Sequence, residues 1–272
     1  MLSKLLAPWG IASVERLRRA VEGKRVLVTG ASFGIGEALA LRLGAAGARV
    51  ILAARSEEQL QALAVRIGNA EVLPLDLMDS AQIEKAAEKL NAGGPVDVVI
   101  HNAGKSIRRL LLDSLERNHD FQRTMAVNYL GPVQLQLALL PAMLARGGHI
   151  VNVSSLGVRM PPAPRWAAYT ASKAAFDVWI RSVAPELKGR GIACTSIYFG
   201  LVHTRMSAPT EMYRTMPGQT PDEAAQVVCR ALINKPRAIA PWWVRPVRWF
   251  LPPLEGVVAW ALGLPFSRGV KP

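Results

Sequence analysis

Short apolar runs alternate with longer segments of helical spacing, and this alternation constrains the fold more than any other feature of the sequence. Apolar runs of about four to eight residues between turn residues are typical of strands buried in a parallel sheet. The sequence therefore predicts an α/β fold with a doubly wound parallel sheet of about seven strands and helices on both faces. The predicted strands are 25–30, 48–55, 70–77, 96–104, 148–155, 192–199 and 237–240, and the predicted helices are 35–47, 56–67, one from Asp79 or Ser80, 116–145, 167–188 and 221–233.

Glycines crowd the turn between the first strand and the first helix of this sheet, in the segment "TGASFGIG" (29–36). Glycine allows close approach of the backbone, and a helix N-terminus offers free N–H groups to a phosphate. The spacing G-x-x-x-G-x-G differs from the best-known dinucleotide fingerprint, so a turn needed only for packing is the alternative. The residues predicted to contact a dinucleotide here are Gly30, Ser32, Phe33, Gly34, Ile35 and Gly36.

The ends of the second and third strands indicate which dinucleotide is bound. Arg55 stands where an acid usually binds the ribose 2′-hydroxyl, and an arginine fork there can neutralise a 2′-phosphate. We therefore expect NADP(H) rather than NAD(H), with a solvated arginine at a helix start as the alternative. Asp76, followed by Leu77, is placed to accept from an adenine amino group, or else to cap the next helix.

Tyr169 and Lys173 lie four residues apart in "AAYTASKAAF" (167–176), among small neighbours. Side chains at this spacing share one face of a helix. A phenol has a pKa of about 10, and a neighbouring ammonium favours the phenolate and lowers that pKa. The pair is therefore suited to proton transfer, although a tyrosine–lysine contact is also common on ordinary amphipathic helices.

In combination these segments resemble the short-chain dehydrogenase/reductase family, in its classical branch. The matching motifs run from Thr29 to Thr204, about two-thirds of the chain, and their order and spacing are highly specific. Besides the glycine turn, Asp76 and the Tyr169/Lys173 pair, they are "HNAG" (101–104), Asn128 in "VNYLG", Ser155 in "VSSLG" and "GLVHT" (200–204).

The resemblance implies the role of each matching residue. Tyr169 would be the general acid/base, and Lys173 would tune it and hold the nicotinamide ribose. Ser155 would stabilise charge on the substrate oxygen, and Asn128 would hold a water that relays protons to Lys173. The cofactor would also be lined by Asn102, Ala103, Gly104, Gly200, Val202 and Thr204.

Several positions depart from the family pattern. His101 replaces the first asparagine of Asn-Asn-Ala-Gly, and Phe199 replaces a proline before Gly200. Phe33 stands where a small or basic residue is usual. The gap between Ser155 and Tyr169 is one residue longer than usual, which leaves Ser154 as an alternative to Ser155.

The substrate region is rich in flexible apolar side chains. The segment at about 203–221 corresponds to the mobile lid of the family, and thioether side chains suit irregular apolar ligands. We expect a lipophilic carbonyl or alcohol substrate, such as a fatty acyl, steroid-like or retinoid-like compound. Alternatives are a reductase of small or carrier-bound acyl groups and a low-turnover NADP-binding scaffold or sensor. The candidate substrate contacts are Leu156, Met160, Met206, Met212 and Tyr213, which also suit simple packing of the lid.

The chain divides into an amphipathic basic segment (1–23), a Rossmann-fold catalytic domain (24–240) and an aromatic, basic tail (241–272). The net charge is +13, of which residues 1–25 carry +4 and residues 235–272 carry +5. Cations beside aromatic and apolar residues suit an anionic membrane surface. Packing of both ends on the body or across a dimer is the alternative.

The remaining expectations concern partners and location. We expect a homodimer or homotetramer, no nucleic acid and no metal. Cys194 and Cys229 show no metal spacing and are expected to be reduced core residues. Because no secretory leader or membrane span is evident, we expect a cytoplasmic protein, with peripheral membrane contact through the ends.

Overall fold

The computed structural model describes residues 12–161, 163–244, 246–247, 256–258 and 260. They form a single sheet of seven parallel strands in the order β3-β2-β1-β4-β5-β6-β7, which confirms the predicted doubly wound Rossmann-type fold. The strands are β1 Arg25–Thr29, β2 Arg49–Ala54, β3 Ala70–Pro74, β4 Val98–His101, β5 Gly148–Ser155, β6 Ile192–Phe199 and β7 Ala238–Ile239.

The helices match their predicted ranges closely. The long helix predicted over 116–145 is observed from Asn118 to Arg146, as two α-helices joined without interruption by a π-helical turn (Ala126–Leu130). Short 3-10 helices occur at Leu112–Ser114, Leu156–Val158 and Glu211–Arg214. The α-helices are α1 Val14–Val21, α2 Gly34–Ala45, α3 Glu57–Ile67, α4 Ser80–Ala92, α5 Asn118–Met125, α6 Gly131–Arg146, α7 Ala167–Lys188 and α8 Pro221–Asn234.

The central strand β1 is buried along its whole length and supplies both hydrophobic cores. Successive side chains of a strand point to opposite faces of the sheet. Val26 and Val28 pack with α1, α2, α3 and α8, whereas Leu27 packs with α4, α6 and α7 on the other face. The two cores hold the sheet rigidly and fix the positions at which its strands end.

The strand order reverses between β1 and β4, which are hydrogen-bonded neighbours. The chain moves outward from β1 to β2 and β3, and then returns to β4 on the other side of β1. A sheet of this kind has a crevice at the carboxyl ends of the two strands beside the reversal. The glycine turn after β1 and the segment after β4 therefore face each other across this crevice.

The described part of the N-terminal segment packs on the body. In α1, Leu17 and Val21 are buried against α8, and Arg16 Nη2 donates to Asn234 Oδ1 at 3.1 Å. This contact occupies the apolar face of α1 and favours the packing alternative for residues 12–23. Residues 1–11 lie outside the described range, so the expectation for them stays a prediction.

Only part of the C-terminal tail is described. Val244 is buried beside Leu156 and Tyr198, whereas Trp242 and Trp260 are exposed. Within the described residues, no helix combines the length and apolar character needed to cross a membrane. The other residues of the predicted tail (241–272) lie outside the described range.

Truncation of Leu17 tests the docking of α1. Leu17 is 5% exposed, so Leu17→Ala leaves a cavity and should lower the free energy of unfolding by about 2–4 kcal/mol. Val14 lies on the same helix but is 70% exposed, so Val14→Ala should cost less than about 0.5 kcal/mol. Urea unfolding of both variants measures the difference, and equal losses would contradict this packing.

Candidate active site

The glycine turn after β1 is packed so closely that side chains are excluded at two positions. A Cβ atom on Gly36 would lie 2.1 Å from the Gly30 carbonyl oxygen. One on Gly30, whose φ is +66°, would lie 2.8 Å from the Ala103 Cα. The turn is therefore pressed against the segment that follows β4, as the strand order requires.

Polar contacts join this turn to the end of β4. Thr29 Oγ1 accepts from the backbone N–H groups of Asn102 and Ala103, both at 3.1 Å. Asn102 Nδ2 in turn donates to the carbonyls of Thr29 and Gly30 at 3.0 and 3.1 Å. The Asn102 side chain therefore holds the backbone of the glycine turn, and Gly104 follows two residues later.

The beginning of α2 fits a phosphate group. Phe33 occupies the N-cap position and makes no side-chain capping hydrogen bond. The first N–H groups of a helix have no intrahelical partner, so those of α2 are available to an anionic ligand. Ser32 and Ile35, on either side of Phe33, are half-buried. Phe33 is exposed, and the guanidinium of Arg205 lies over its ring, 4.6 Å from the ring centre.

Arg55 and Asp76 lie at neighbouring strand ends, where the sequence placed them. Arg55 is exposed and, within the described chain, has no hydrogen-bond or ion-pair partner. Asp76 Oδ1 accepts from the Met78 backbone N–H at 2.9 Å. The cap of α4 is Asp79, so the alternative that Asp76 caps this helix is wrong. Leu77 is buried, and its carbonyl lies against Gly131.

Lys173 is buried where α7 crosses the ends of β4 and β5. Its Nζ donates to the Val153 carbonyl at 3.1 Å. A Cβ atom on Gly104 would lie 3.3 Å from this Nζ, so glycine leaves the space around it open. Burial disfavours the charged amine and lowers the pKa of Lys173 from 10.5 to about 8.

Asn128 lies in the π-helical turn and clamps the segment after β4. Its Oδ1 accepts from the Lys105 N–H at 2.8 Å, and its Nδ2 donates to the Lys105 carbonyl and to Ser172 Oγ, both at 2.9 Å. Ser172 Oγ donates to the Tyr169 carbonyl at 2.8 Å. The Asn128 side chain thus positions both the β4 exit and α7, and its role in a water relay stays a prediction.

The Tyr169 hydroxyl interacts with Ser155 rather than with Ser154. Burial raises the pKa of Tyr169 above 10.0, and a hydrogen bond with the Ser155 side chain opposes this. The predicted lowering of the Tyr169 pKa by Lys173 is wrong for this arrangement, because burial has the largest effect on the phenol and Lys173 is not among the groups that shift its pKa. Ser154 Oγ is buried and has no partner within the described residues.

Aromatic contacts connect Tyr169 to the segment predicted as a lid. Trp166 packs edge-on against Tyr169, with ring centres 5.9 Å apart. Tyr213, in the 3-10 helix at Glu211–Arg214, stacks on Trp166 with ring centres 6.0 Å apart. Thr204, near the start of the segment after β6, packs against the glycine turn. A Cβ atom placed on Gly34 would lie only 3.0 Å from Thr204 Cγ2.

A comparison with protein families identifies this arrangement. Residues 24–214 match the family model for short chain dehydrogenases, which covers well over half of the chain. The chain belongs to the short-chain dehydrogenase/reductase family. It is therefore an oxidoreductase of the family that the sequence motifs indicated.

Two curated relatives share much of this short-chain dehydrogenase's sequence. The fatty acyl-CoA reductase of Acinetobacter baylyi is 45% identical over 173 residues, which are 63% of this chain and 58% of the relative. The fatty acyl-CoA reductase of Mycobacterium tuberculosis is 44% identical over 171 residues, 62% of this chain and 58% of the relative. The chain spans somewhat more than half the length of these two relatives.

Solved structures of other family members superpose on this chain. A metagenomic short-chain oxidoreductase in complex with NADP has a TM-score of 0.70 and 33% identity, with 81% of this chain and 97% of that chain covered. A 3-oxoacyl-(acyl-carrier-protein) reductase from Agrobacterium tumefaciens with bound NADP has a TM-score of 0.72 and 29% identity, with 80% and 93% covered.

Two of the departures of this dehydrogenase from the family pattern, His101 and Phe199, are buried. His101 Nε2 pairs with Gln136 Oε1 at 3.0 Å, and burial lowers the pKa of His101 to about 4. His101 is therefore neutral at physiological pH and packs edge-on against Phe176. Phe199 is buried at the end of β6 in the core beneath Val202.

The residues predicted to touch substrate are only partly brought together. Tyr213 joins the aromatic contacts of Tyr169, and Met160 is half-buried after Ser155. Leu156 is buried with Tyr198 and Val244, whereas Met206 and Met212 are about half exposed. Of the residues predicted to line the cofactor, Gly200 is half-buried, and Val202 is buried and forms a β-bridge with Gln219.

The described residues contain no group of three or more histidine, cysteine or acidic side chains arranged to hold a metal ion. Cys194 and Cys229 are buried free thiols, and burial raises their pKa values to about 11 and 12. Both thiols are therefore protonated near neutral pH, and neither is suited to nucleophilic attack.

Two residues at the site were given no role from the sequence. Thr29 and Ser172 hold backbone groups. Thr29 could have been found from its place directly before Gly30. Ser172 has no comparable pattern, because its role depends on contacts between separate segments.

Stability at alkaline pH tests the burial of Lys173. The folded chain binds the ammonium proton of Lys173 more weakly than the unfolded chain does. Lys173 therefore makes the free energy of unfolding rise as the pH increases from about 8 to 10.5. In Lys173→Met this contribution disappears, so the gain in unfolding free energy over that range should be smaller by roughly 2–3 kcal/mol. Urea unfolding at several pH values measures it, and parallel curves for the two proteins would contradict the buried amine.

Proposed function

We propose that the protein is an NADPH-dependent reductase that transfers a hydride to the carbonyl of a lipophilic substrate, with alcohol oxidation as the reverse reaction. The observation that carries the proposal is the placement of Tyr169, Ser155 and Lys173 beside the crevice of the sheet, next to the glycine turn. Short-chain dehydrogenases use a nicotinamide cofactor, and the uncapped start of α2 suits its phosphates.

The described side chains divide the proton chemistry between them. NADPH supplies the hydride that the carbonyl carbon receives. Tyr169 gives its phenolic proton to the carbonyl oxygen, and the Ser155 hydroxyl donates a hydrogen bond to the same oxygen as its charge grows. Because burial raises the pKa of Tyr169, this phenol is protonated near neutral pH, as a proton donor in carbonyl reduction must be.

Lys173 acts beneath Tyr169 rather than on the substrate. With its pKa at about 8, most of the amine carries a charge near neutral pH. That charge favours the phenolate left on Tyr169 after proton transfer. Its Nζ also faces the open space at Gly104, where we place the ribose hydroxyls of the cofactor. The bond to Val153 keeps the amine in position throughout.

For the substrate, we propose a fatty acyl group or a fatty aldehyde. Two relatives at 45% and 44% identity are named fatty acyl-CoA reductases. Half-buried apolar side chains near Ser155, such as Met160, also suit a hydrocarbon.

For the cofactor, we propose NADPH because of Arg55. Its guanidinium is exposed at the end of β2 and has no described partner, so it is available to a 2′-phosphate. Asp76, at the next strand end, is exposed enough to meet an adenine. Two of the similar solved structures contain NADP.

A reductase of carrier-bound acyl groups is the second candidate. The similar structure of a 3-oxoacyl-(acyl-carrier-protein) reductase and the net charge of +13, which suits an acidic carrier, favour it. NADPH oxidation with fatty aldehydes, fatty acyl-CoA thioesters and β-ketoacyl thioesters distinguishes the two. Activity confined to the β-ketoacyl thioesters would replace the first proposal with the second.

Self-association and location are further proposals. Leu130, Leu137 and Leu144 lie seven residues apart along α6 and its preceding turn, and all are exposed. We propose that this row packs against a second copy of the chain, and light scattering after gel filtration measures the mass. Membrane contact through the ends and a cytoplasmic location stay predictions.

Two neighbouring serines provide a matched test of the proton chemistry. Ser155→Ala should lower kcat by about 10²–10³-fold, because a donor to the developing oxyanion is lost. Ser154→Ala removes a hydroxyl without a described partner and should change kcat less than about threefold. Tyr169→Phe should abolish turnover and still bind NADPH, as measured by fluorescence titration. Equal effects of the two serine variants would refute the assignment.

Charge reversal at Arg55 tests the choice of cofactor. Arg55→Asp should weaken NADPH binding roughly 10- to 100-fold, because a charge-assisted contact is replaced by repulsion of the 2′-phosphate, and NADH binding should change little. Arg49→Asp is the control, since Arg49 is also exposed but lies at the opposite end of β2. Unaltered NADPH affinity in Arg55→Asp would show that another group selects the cofactor.

A further inference from the structure

An apolar cavity of about 410 Å³ lies between the segment that follows β4 and the beginning of α7. Its walls come from residues 107–121 on one side and 163–168 on the other. A volume of this size is within the range of about 300–1,000 Å³ that is typical of small-molecule sites. Most of its lining is apolar and includes Ile107, Leu110, Leu111, Leu112, Phe121 and Ala168.

Two charged residues in the cavity wall are paired. Asp120 is buried, and its Oδ2 accepts from Arg109 Nε at 3.2 Å and from Arg117 Nε at 3.0 Å. The hydrogen bond from Arg117 holds the pKa of Asp120 below its usual value. The third charged residue of the lining, Arg165, is exposed, so most of the surface left inside the cavity is hydrocarbon-like.

The two walls are joined by the backbone. The Arg109 N–H donates to the Arg165 carbonyl at 2.8 Å, and Arg165 has a φ of +72°, which is uncommon for a residue with a side chain. A bond between these separate segments keeps the walls at a fixed distance. The cavity is therefore a defined feature of the fold rather than a gap between two independent loops.

The cavity wall adjoins the proposed catalytic group along the chain, whereas the side chains of Tyr169, Ser155 and Lys173 do not line it. Ala168, in its wall, precedes Tyr169 directly, so their Cα atoms are about 3.8 Å apart. Ile107 follows Gly104 by three residues, which places it within about 11 Å of the glycine that faces Lys173. A chain whose carbonyl meets Tyr169 is thus within reach of both walls.

The outer end of the cavity is marked by exposed leucines. Leu111 and Leu112 line it and are 69% and 76% exposed. Exposed apolar side chains that are continuous with an apolar cavity mark a binding surface more often than isolated ones do. They provide an apolar entrance for a hydrocarbon chain.

We propose that this cavity binds the hydrocarbon chain of a fatty acyl or fatty aldehyde substrate and so selects for chain length. The inference rests on the proposed function for its carbonyl end, but the cavity's affinity for a hydrocarbon chain does not depend on turnover. Each methylene buried there contributes to binding through the hydrophobic effect. Long chains are therefore preferred over short ones, and filling the cavity removes that preference.

Two cavity variants and one control test the proposal in the full chain. Ala167 lines the cavity at the start of α7 and is exposed, so Ala167→Phe fills space without cutting into the core. Leu112→Glu places a charge at the entrance, on a side chain that is largely exposed. Ala62→Phe makes the same change as the first variant at an exposed position of α3, far from the cavity.

Two readouts are compared. The first is binding of cis-parinaric acid, a fluorescent fatty acid, in the absence of any carbonyl substrate. The second is the ratio of kcat/KM for dodecanal to that for butanal with NADPH. Both cavity variants should weaken the binding roughly tenfold and lower the ratio roughly tenfold, and Ala62→Phe should match the wild type in both. If Ala167→Phe does not fold, Leu112→Glu decides.

The outcomes separate this inference from the proposed function. If the wild type does not bind cis-parinaric acid, or if both folded cavity variants bind it like the wild type, the inference is overturned. Turnover of aldehydes with an unchanged dodecanal-to-butanal ratio in the variants also overturns it and leaves the reductase proposal standing. Binding that the variants weaken, together with no turnover of any carbonyl by the wild type, supports the cavity and overturns the reductase proposal.

Discussion

The close contact between the glycine turn and the end of β4 determines where everything else in the site can lie. Because Gly36 and Gly30 allow backbone to meet backbone, Asn102 can bond to two carbonyls of the turn while Thr29 binds the chain that follows β4. The start of α2 and the segment carrying Gly104 are thus fixed on the two sides of one crevice. A larger side chain at either glycine would separate them.

Burial of Lys173 lowers the stability of the fold but places a charged amine inside the site. A buried amine without a carboxylate is unfavourable, and a single carbonyl, that of Val153, compensates only part of the lost hydration. Asn128 and Ser172 add to the rigidity of the same region by connecting the β4 exit to α7. The surrounding structure is therefore strong enough to hold a group that by itself opposes folding.

The sequence predicted the sheet and the residues at its strand ends well, because apolar runs and glycine spacing are local properties. It failed where the outcome depends on contacts between distant segments. The π-helical turn within the predicted helix over 116–145 contains Asn128, whose side chain bonds to Lys105 in the segment after β4. The direction of the Tyr169 pKa shift depends on burial, which spacing to Lys173 does not reveal. The apolar cavity likewise combines two segments that are separated by about 40 residues in the chain.

The stack of Tyr213 on Trp166, which in turn packs against Tyr169, links the segment after β6 to the proposed proton donor. Tyr213 belongs to that segment, and it adds to the rise in the pKa of Tyr169 that burial causes. A single indole therefore touches both the aromatic ring of the segment and the ring of Tyr169. A substitution at Trp166 would consequently alter the surroundings of the phenol and the seating of the segment together.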